Sequence, residues 1–575
     1  MQQSLPQSDR QNLSESNQTP LHPKIKPLVR RSYKEYQLNE TNYQKSLKAH
    51  SKIFRAVKTN TNKRRGSSVR YIKGYRKLLT AQDSLSNLSH SFNRHACFEN
   101  AYLLSKIRCL RSLTSLDMQF FTNRDHQIPL NVLFKSLASL KELTYFKIEL
   151  NFYTFNDAQT LRILFWYLQS LRKLKGLSLC FVQCSNFKRA KMNNLPQYLS
   201  HLKQLHSLEL SFDRSMELTD QDMMSLASVP PKLPFLAQIK LDFGGQSREI
   251  QGPTLLQMFQ NMKTLSAVTL NLGYSHIVCR GKHPDPLAEG LRQLQASSLN
   301  KLSLHLNQNL NTQSLFELSQ TLKRFTSLNV LHLNLYGSNS LTNDSIIELS
   351  GALSTLITLS SFSFRVPRAV EADSIIGSIA SGLKPFHNLV YLKLNLVDIK
   401  SSPKQIQQLS ASLMNSIGLK FLEISFSWLQ SLSDDVLANL AGSLRKLVQL
   451  KHLSLDFGYA KTVTNKGVKA LANVIQELHG LSFLSLNFAV NDEIDGEAVE
   501  RVSQILRQLP SLYSTSFRFP QCSKLEERSL STLFNALRDM ENIKEVALFL
   551  SQNEFNEQEV DDLKQRKILE ITWFY

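Results

Sequence analysis

Residues 328–356 read LNVLHLNLYGSNSLTNDSIIELSGALSTL, and two periodicities meet within that stretch. In its first half Leu331, Leu333 and Leu335 alternate with His332 and Asn334, the period-2 signature of a strand with one buried face. In its second half Ile346, Leu349, Leu353 and Leu356 recur every three or four places, which predicts a helix with one apolar stripe. Thr342 or Asn343 can cap the start of that helix. A strand followed by a helix leaves apolar surface uncovered on both, so the unit needs neighbours.

The neighbours are further copies. Fifteen segments share the pattern, among them LTSLDMQF, LKGLSLCF, LHSLELSF, LVYLKLNL, LKFLEISF, LKHLSLDF and LSFLSLNF. They begin at residues 113, 143, 174, 205, 236, 265, 299, 328, 359, 389, 419, 450, 481, 512 and 543, with spacings of 29 to 34. Such a register over so many copies predicts a tandem array with one continuous core. Helix starts recur in phase, as LTDQDM from Leu218, LSDDVL from Leu432 and VTNKGV from Val463. The expected architecture is an α/β solenoid of about fifteen strand-helix repeats. Its strands would form a parallel concave sheet and its wider helices the convex side, giving a horseshoe.

The strand motif L-x-x-L-x-L and the period of about thirty residues resemble leucine-rich repeats of the ribonuclease-inhibitor-like type. Units such as LNVLHLNLYGSNSLTNDSIIELSGAL are similar in particular to the large leucine-rich-repeat families of ciliates. The resemblance covers roughly residues 100 to 575 and implies protein binding without naming a ligand. One departure stands out. The Asn or Cys usual at position 9 is present at Asn151 and Asn307, while position 8 is apolar, so a regular asparagine ladder behind the strands is not expected.

Outside the array the chain changes character. Of the net charge of +21, residues 1–100 carry +13, from nineteen Lys or Arg against six Asp or Glu, which leaves +8 for the remaining 475 residues. Residues 1–85 read as a basic arm of low order, 86–112 as an N-terminal cap, 113–566 as the solenoid and 567–575 as a capping strand. Lys63, Arg64 and Arg65, with Arg70 close by, form a cluster that suits a nuclear import signal or an anion-binding patch, and equally a solvated linker. Tyr43–Lys58 has the pattern of a basic amphipathic helix. It could order on an acidic membrane, RNA or a calmodulin-like protein, or dock on the solenoid's open end. RNA or an acidic membrane, met through residues 24–77, is therefore an alternative partner to protein.

No Cys-x-x-Cys pair occurs among the six cysteines, which read as reduced thiols, and no apolar run has the length of a membrane span. The first twenty residues lack a secretory apolar run, so an intracellular location, cytoplasmic or nuclear, is expected. The insertion GYSHIVCRGKHPDP brings His276, Cys279 and His283 together at a spacing unlike known metal sites and reads as a surface loop. Asp242-Phe243-Gly244 and Asp456-Phe457-Gly458 spell the kinase metal-binding triplet, yet no catalytic loop or nucleotide-binding lysine strand accompanies them. Both triplets fall at positions 7 to 9 of a repeat and are assigned to strand ends. No catalytic residue, cofactor or metal is expected, and the chain reads as a non-catalytic scaffold or adaptor.

Positions 3, 5 and 7 of each repeat should face away from the core. Position 5 mixes charge with many serines, unlike the basic stripe of a nucleic-acid channel. Position 3 carries Tyr391, Phe421, His452 and Phe483 in repeats ten to thirteen, an expected aromatic ladder about 15 Å long at strand spacing. Lys393, Asn395, Glu423 and Asp456 could form its polar rim. The competing expectation is that these rings tuck beneath the adjoining loops. His305 and His332, on adjacent repeats, are a weaker pair of candidates.

Overall fold

The structure, a computed structural model, describes residues 86–92, 104, 107–121, 130–155, 159–186, 195–214, 219–245, 249–260, 262–273, 276–278, 285–306, 310–338, 341–366, 374–550 and 557–565. Tyr43–Lys58, Lys63, Arg64, Arg65, Arg70, Cys279, His283 and the expected strand 567–575 lie outside the described residues.

Among the described residues, sixteen parallel strands run in chain order through one sheet, from Asn87–Phe92 to Glu545–Phe549. Every repeat supplies its strand in register with the next. Tyr391 pairs with Phe421, Phe421 with His452 and His452 with Phe483. Strands such as Tyr391–Asn395, Phe421–Ser425 and His452–Asp456 bury every second residue and leave the alternate ones partly exposed. Period-2 patterning produces this directly, because successive side chains of a strand leave opposite faces. The fold is an α/β leucine-rich-repeat solenoid.

Helices such as Asn343–Leu353, Pro403–Leu413, Asp434–Leu444 and Asn465–Ile475 cover the inner face, and Ile346, Leu349 and Leu353 are buried there. Their starts follow the polar signals in the sequence. Thr219 forms a capping box with Asp222, Ser433 accepts from the Val436 N–H, and Thr464 accepts from the Lys466 N–H. Thr342 occupies the cap position in extended backbone but makes no side-chain cap bond.

The backbone behind the strands is satisfied without a regular asparagine ladder. Among the described residues Asn151 donates to the Phe120 carbonyl at 3.4 Å, and buried Asn491 donates to the Ala460 and Val463 carbonyls at 2.9 and 3.0 Å. At position 8 phenylalanines stack from repeat to repeat. Phe426, Phe457, Phe488 and Phe519 follow one another at centroid distances of 6.0, 5.4 and 5.9 Å. At position 10 the chain turns through positive φ at Asp398, Trp428, Tyr459, Val490 and Gln521. That turn aims amide N–H groups at the following repeat. The Trp428 N–H donates to the Gly458 carbonyl at 3.0 Å, and the Tyr459 N–H to the Ala489 carbonyl at 2.8 Å. A backbone ladder thus does what side-chain amides would otherwise do.

The two Asp-Phe-Gly triplets belong to the same device. Asp456 accepts from the Gly458 N–H at 3.1 Å, from Asn487 Nδ2 at 2.7 Å and from Ser425 Oγ at 2.8 Å. Asp242 likewise accepts from the Gly244 N–H and Asn271. The Asp456→Ala variant should therefore lose about 1–3 kcal/mol in chemical denaturation, the cost of leaving such donors without an acceptor. A variant as stable as the parent would show that water replaces the carboxylate freely.

Three strands were not foreseen. Asn87–Phe92 extends the sheet beyond the first recognised repeat, within the segment read as an N-terminal cap. Part of the insertion read as a loop, His276–Val278, pairs with Glu249–Gln251 in a separate two-stranded parallel sheet. Longer connections leave more backbone polar groups to satisfy, and this pairing satisfies some of them.

Candidate functional site

Uniform register determines what stands on the outward face of the sheet. Because position 3 is aligned through repeats ten to thirteen, Tyr391, Phe421, His452 and Phe483 lie side by side on consecutive strands. Their rings stack face to face. Centroids are 4.3 Å apart for Tyr391 and Phe421, 3.9 Å for Phe421 and His452, and 4.1 Å for His452 and Phe483, with interplanar angles of 15°, 15° and 4°. The rings are partly buried rather than fully exposed. Their faces are used on one another, and a row of ring edges is what meets solvent. Ring edges carry the positive end of the aromatic quadrupole and suit acceptors or the faces of incoming rings.

The rim residues divide into two groups. Lys393 Nζ stands 2.5 Å from Glu423 Oε1, so these charges neutralise each other on adjacent strands. Asp456 is occupied by the strand-end bonds described above and is tied to the fold. Asn395 sits in register with Arg365 and Ser425 at the same edge, partly exposed.

Stacking also sets protonation. Burial lowers the His452 pKa to about 3, and the nearby Lys393 cation pushes the same way. An imidazolium between two phenyl faces would gain some cation–π energy, but the loss of water outweighs it. Burial, with Glu423 adding, raises the Tyr391 phenol. Neither group can exchange protons near neutral pH.

A stability consequence follows from linkage. An unfolded His452 takes up a proton below about pH 6.5, whereas the folded imidazole remains neutral down to about 3, so its contribution is complete above pH 6.5 and declines as pH falls below it. The His452→Phe variant keeps a ring in the stack. It should show a flatter dependence of the urea midpoint between about pH 7 and pH 5 than the parent. Identical slopes would mean that the imidazole is freely solvated.

His332, one of the weaker candidates from the sequence, adds a tilted ring 6.3 Å from Tyr391, at the end of the stack nearer repeat eight. Other features escaped sequence reading. Trp428 and Tyr459 stack at 3.8 Å in the loops after the strands of repeats eleven and twelve, and Trp428 is 46% exposed. Their common position 10, one repeat apart, was the available signal. Arg365 lies over the Tyr336 ring at 3.8 Å. Among buried thiols, Cys180 is pushed up to about 12 and Cys522 to about 11 by burial, which keeps both protonated. Among the described residues, no helix is long and apolar enough to cross a membrane, and no group of three or more His, Cys, Asp or Glu is arranged to hold a metal ion.

No protein-family model matches this sequence, and no curated protein does. Among solved structures, a chain of the crystal structure of the Rad7 and Elc1 complex in yeast overlaps it with a TM-score of 0.42 and 15% identity. The overlap covers 87% of this chain and 96% of that one. A likeness at this level carries no information about what either surface binds.

Proposed function

We propose that this chain is a non-catalytic protein-interaction scaffold that engages a protein partner on the outward sheet face around repeats ten to thirteen. The observation that supports it is the continuous stack of Tyr391, Phe421, His452 and Phe483, aligned by strand register and bordered by a self-neutralised Lys393–Glu423 pair. A pre-stacked row of rings loses little conformational entropy when a partner covers it. A rim whose charges already cancel is desolvated at lower cost than a single uncompensated ion. The Trp428–Tyr459 pair adds exposed aromatic surface on the same repeats. Joint replacement of three stack rings, followed by partner capture, tests the reading.

A second reading rests on composition. Seventeen basic residues lie between Lys24 and Lys77 against Glu35 and Glu40 alone. In that case RNA or an anionic membrane is the partner and the solenoid a spacer. Binding would weaken steeply with salt and would disappear on deletion of residues 24–77.

A further inference from the structure

We propose that the outward face of repeats six to nine receives a short acidic segment of the protein partner, with Lys301 and Arg365 as the anchoring cations. This rests on the protein-scaffold reading and specifies the partner's chemistry beside the aromatic stack.

The strands concerned are Ala267–Asn271, Lys301–His305, Val330–Asn334 and Ser361–Arg365. None of their outward positions bears Asp or Glu, and their charged outward side chains are Lys301 and Arg365. The other lysines of the face stand against carboxylates, and the outward Arg518, which lies over the Phe549 ring, is exposed rather than half-buried. Lys147 is 3.8 Å from Asp117 and 3.4 Å from Glu149, Lys240 is 2.5 Å from Glu209, and Lys393 is 2.5 Å from Glu423. Among the described residues neither Lys301 nor Arg365 has a carboxylate at such a distance. Both are partly buried, and Arg365 Nε is buried without an acceptor while its guanidinium lies over Tyr336. Cations held out of water without counter-charge favour any anion that can reach them.

Register gives the site its shape. Lys301 is at position 3 of repeat seven, His332 at position 5 of repeat eight and Arg365 at position 7 of repeat nine, so the three descend diagonally across adjacent strands. Each diagonal step is about 8 Å, from a strand separation of about 4.8 Å and two residues along the strand. The whole line is thus about 16 Å, the reach of about five residues of extended peptide. Serines stand along it. Ser361 Oγ lies 3.5 Å from His332 Nε2, and Ser303 and Ser363 flank His332 in register.

The same geometry disfavours a long polyanion. On the strands that flank this window Lys240 and Lys393 are already paired with Glu209 and Glu423. A nucleic-acid strand laid across the sheet would meet no uncompensated lysine there and would pass the Asp242 and Asp456 carboxylates within about 15 Å. A compact acidic peptide would not reach those carboxylates. Tyr391, 6.3 Å from His332, joins the window to the aromatic stack.

Two histidines share the line without adding charge to it. His332 is lowered to about 4 by burial, then by Lys301 and His305. Burial also lowers His305, with Asp242 acting against it and Lys240 in the same direction. The charge that meets an acidic segment is therefore that of Lys301 and Arg365.

The test uses the full chain and a short labelled peptide of alternating Asp and Glu, with a single-stranded oligothymidylate as the second probe. Joint Lys301→Met and Arg365→Met changes should weaken peptide binding at least about tenfold, equivalent to about 1.4 kcal/mol, and leave oligothymidylate binding unchanged. Ser363→Glu, which places a carboxylate beside these cations and preserves the core, should also weaken the peptide. Peptide affinity unaltered in both variants would overturn the proposal, as would an equal loss of oligothymidylate. If that happens while the aromatic variant still loses its partner, the scaffold reading stands and this site does not.

Discussion

Tyr391, Phe421 and Phe483, changed together to Ala, should abolish retention of the principal protein partner in a pull-down while the far-ultraviolet circular dichroism stays that of the parent. The size of the expected loss reflects how binding energy concentrates in a few aromatic anchors, each contributing about 2 kcal/mol or more. Removing three neighbours from one row takes away the anchor as a unit. It also leaves His452 without either ring that flanks it. Each lost ring contact is worth about 0.5–1.5 kcal/mol beyond its buried area, so thermal unfolding of these repeats should begin earlier, and capture belongs well below that temperature. Phe235→Ser provides the control, since Phe235 is 58% exposed and outside the stack. Undiminished capture by the triple variant would remove the stack from the interface.

Leu453→Ala should cost about 2–5 kcal/mol, the range for a large core side chain truncated to methyl. Leu453 occupies position 4 of the repeat-twelve strand, is 0% exposed and lies in register between Leu422 and Leu484. Its neighbours are held by their own repeats and cannot collapse far into the space, which places the loss toward the upper end. Stability in a solenoid is a sum over repeats and interfaces, so the loss should be local. Hydrogen exchange should accelerate in repeats eleven to thirteen and remain near parental in repeats two to four. A variant as stable as the parent would mean that the assigned strand phase is wrong by one residue.

The strand phase was legible because every repeat but one states it three times, at positions 4, 6 and 8, the exception being Thr515 at position 4, and Leu453, Leu455 and Phe457 are all buried. The first strand was not. Its stretch from Leu85 reads LSNLSHSF, with His90 where other repeats place an apolar residue, which breaks the alternation that identifies the others. Position 3 aromatics could be located from spacing alone, since register follows from the repeat. Whether four rings stand apart or stack depends on side-chain torsions, on which a sequence pattern is silent. The backbone ladder at position 10 was hidden for a related reason. Asp398, Trp428, Tyr459, Val490 and Gln521 share a positive φ without sharing a side-chain type, and glycine, the usual marker of that conformation, is absent from all five. The cations Lys301 and Arg365 were visible as letters, but their lack of carboxylate neighbours is a property of adjacent strands.

Capture from extract of the native cell, run in parallel with the parent, the chain lacking residues 24–77 and the Tyr391, Phe421 and Phe483 triple variant, tests the scaffold account most directly. The parent and the deletion should retain the same main protein, and the triple variant should lose it. Loss from the deletion together with full retention by the triple variant would contradict it and assign binding to the basic arm.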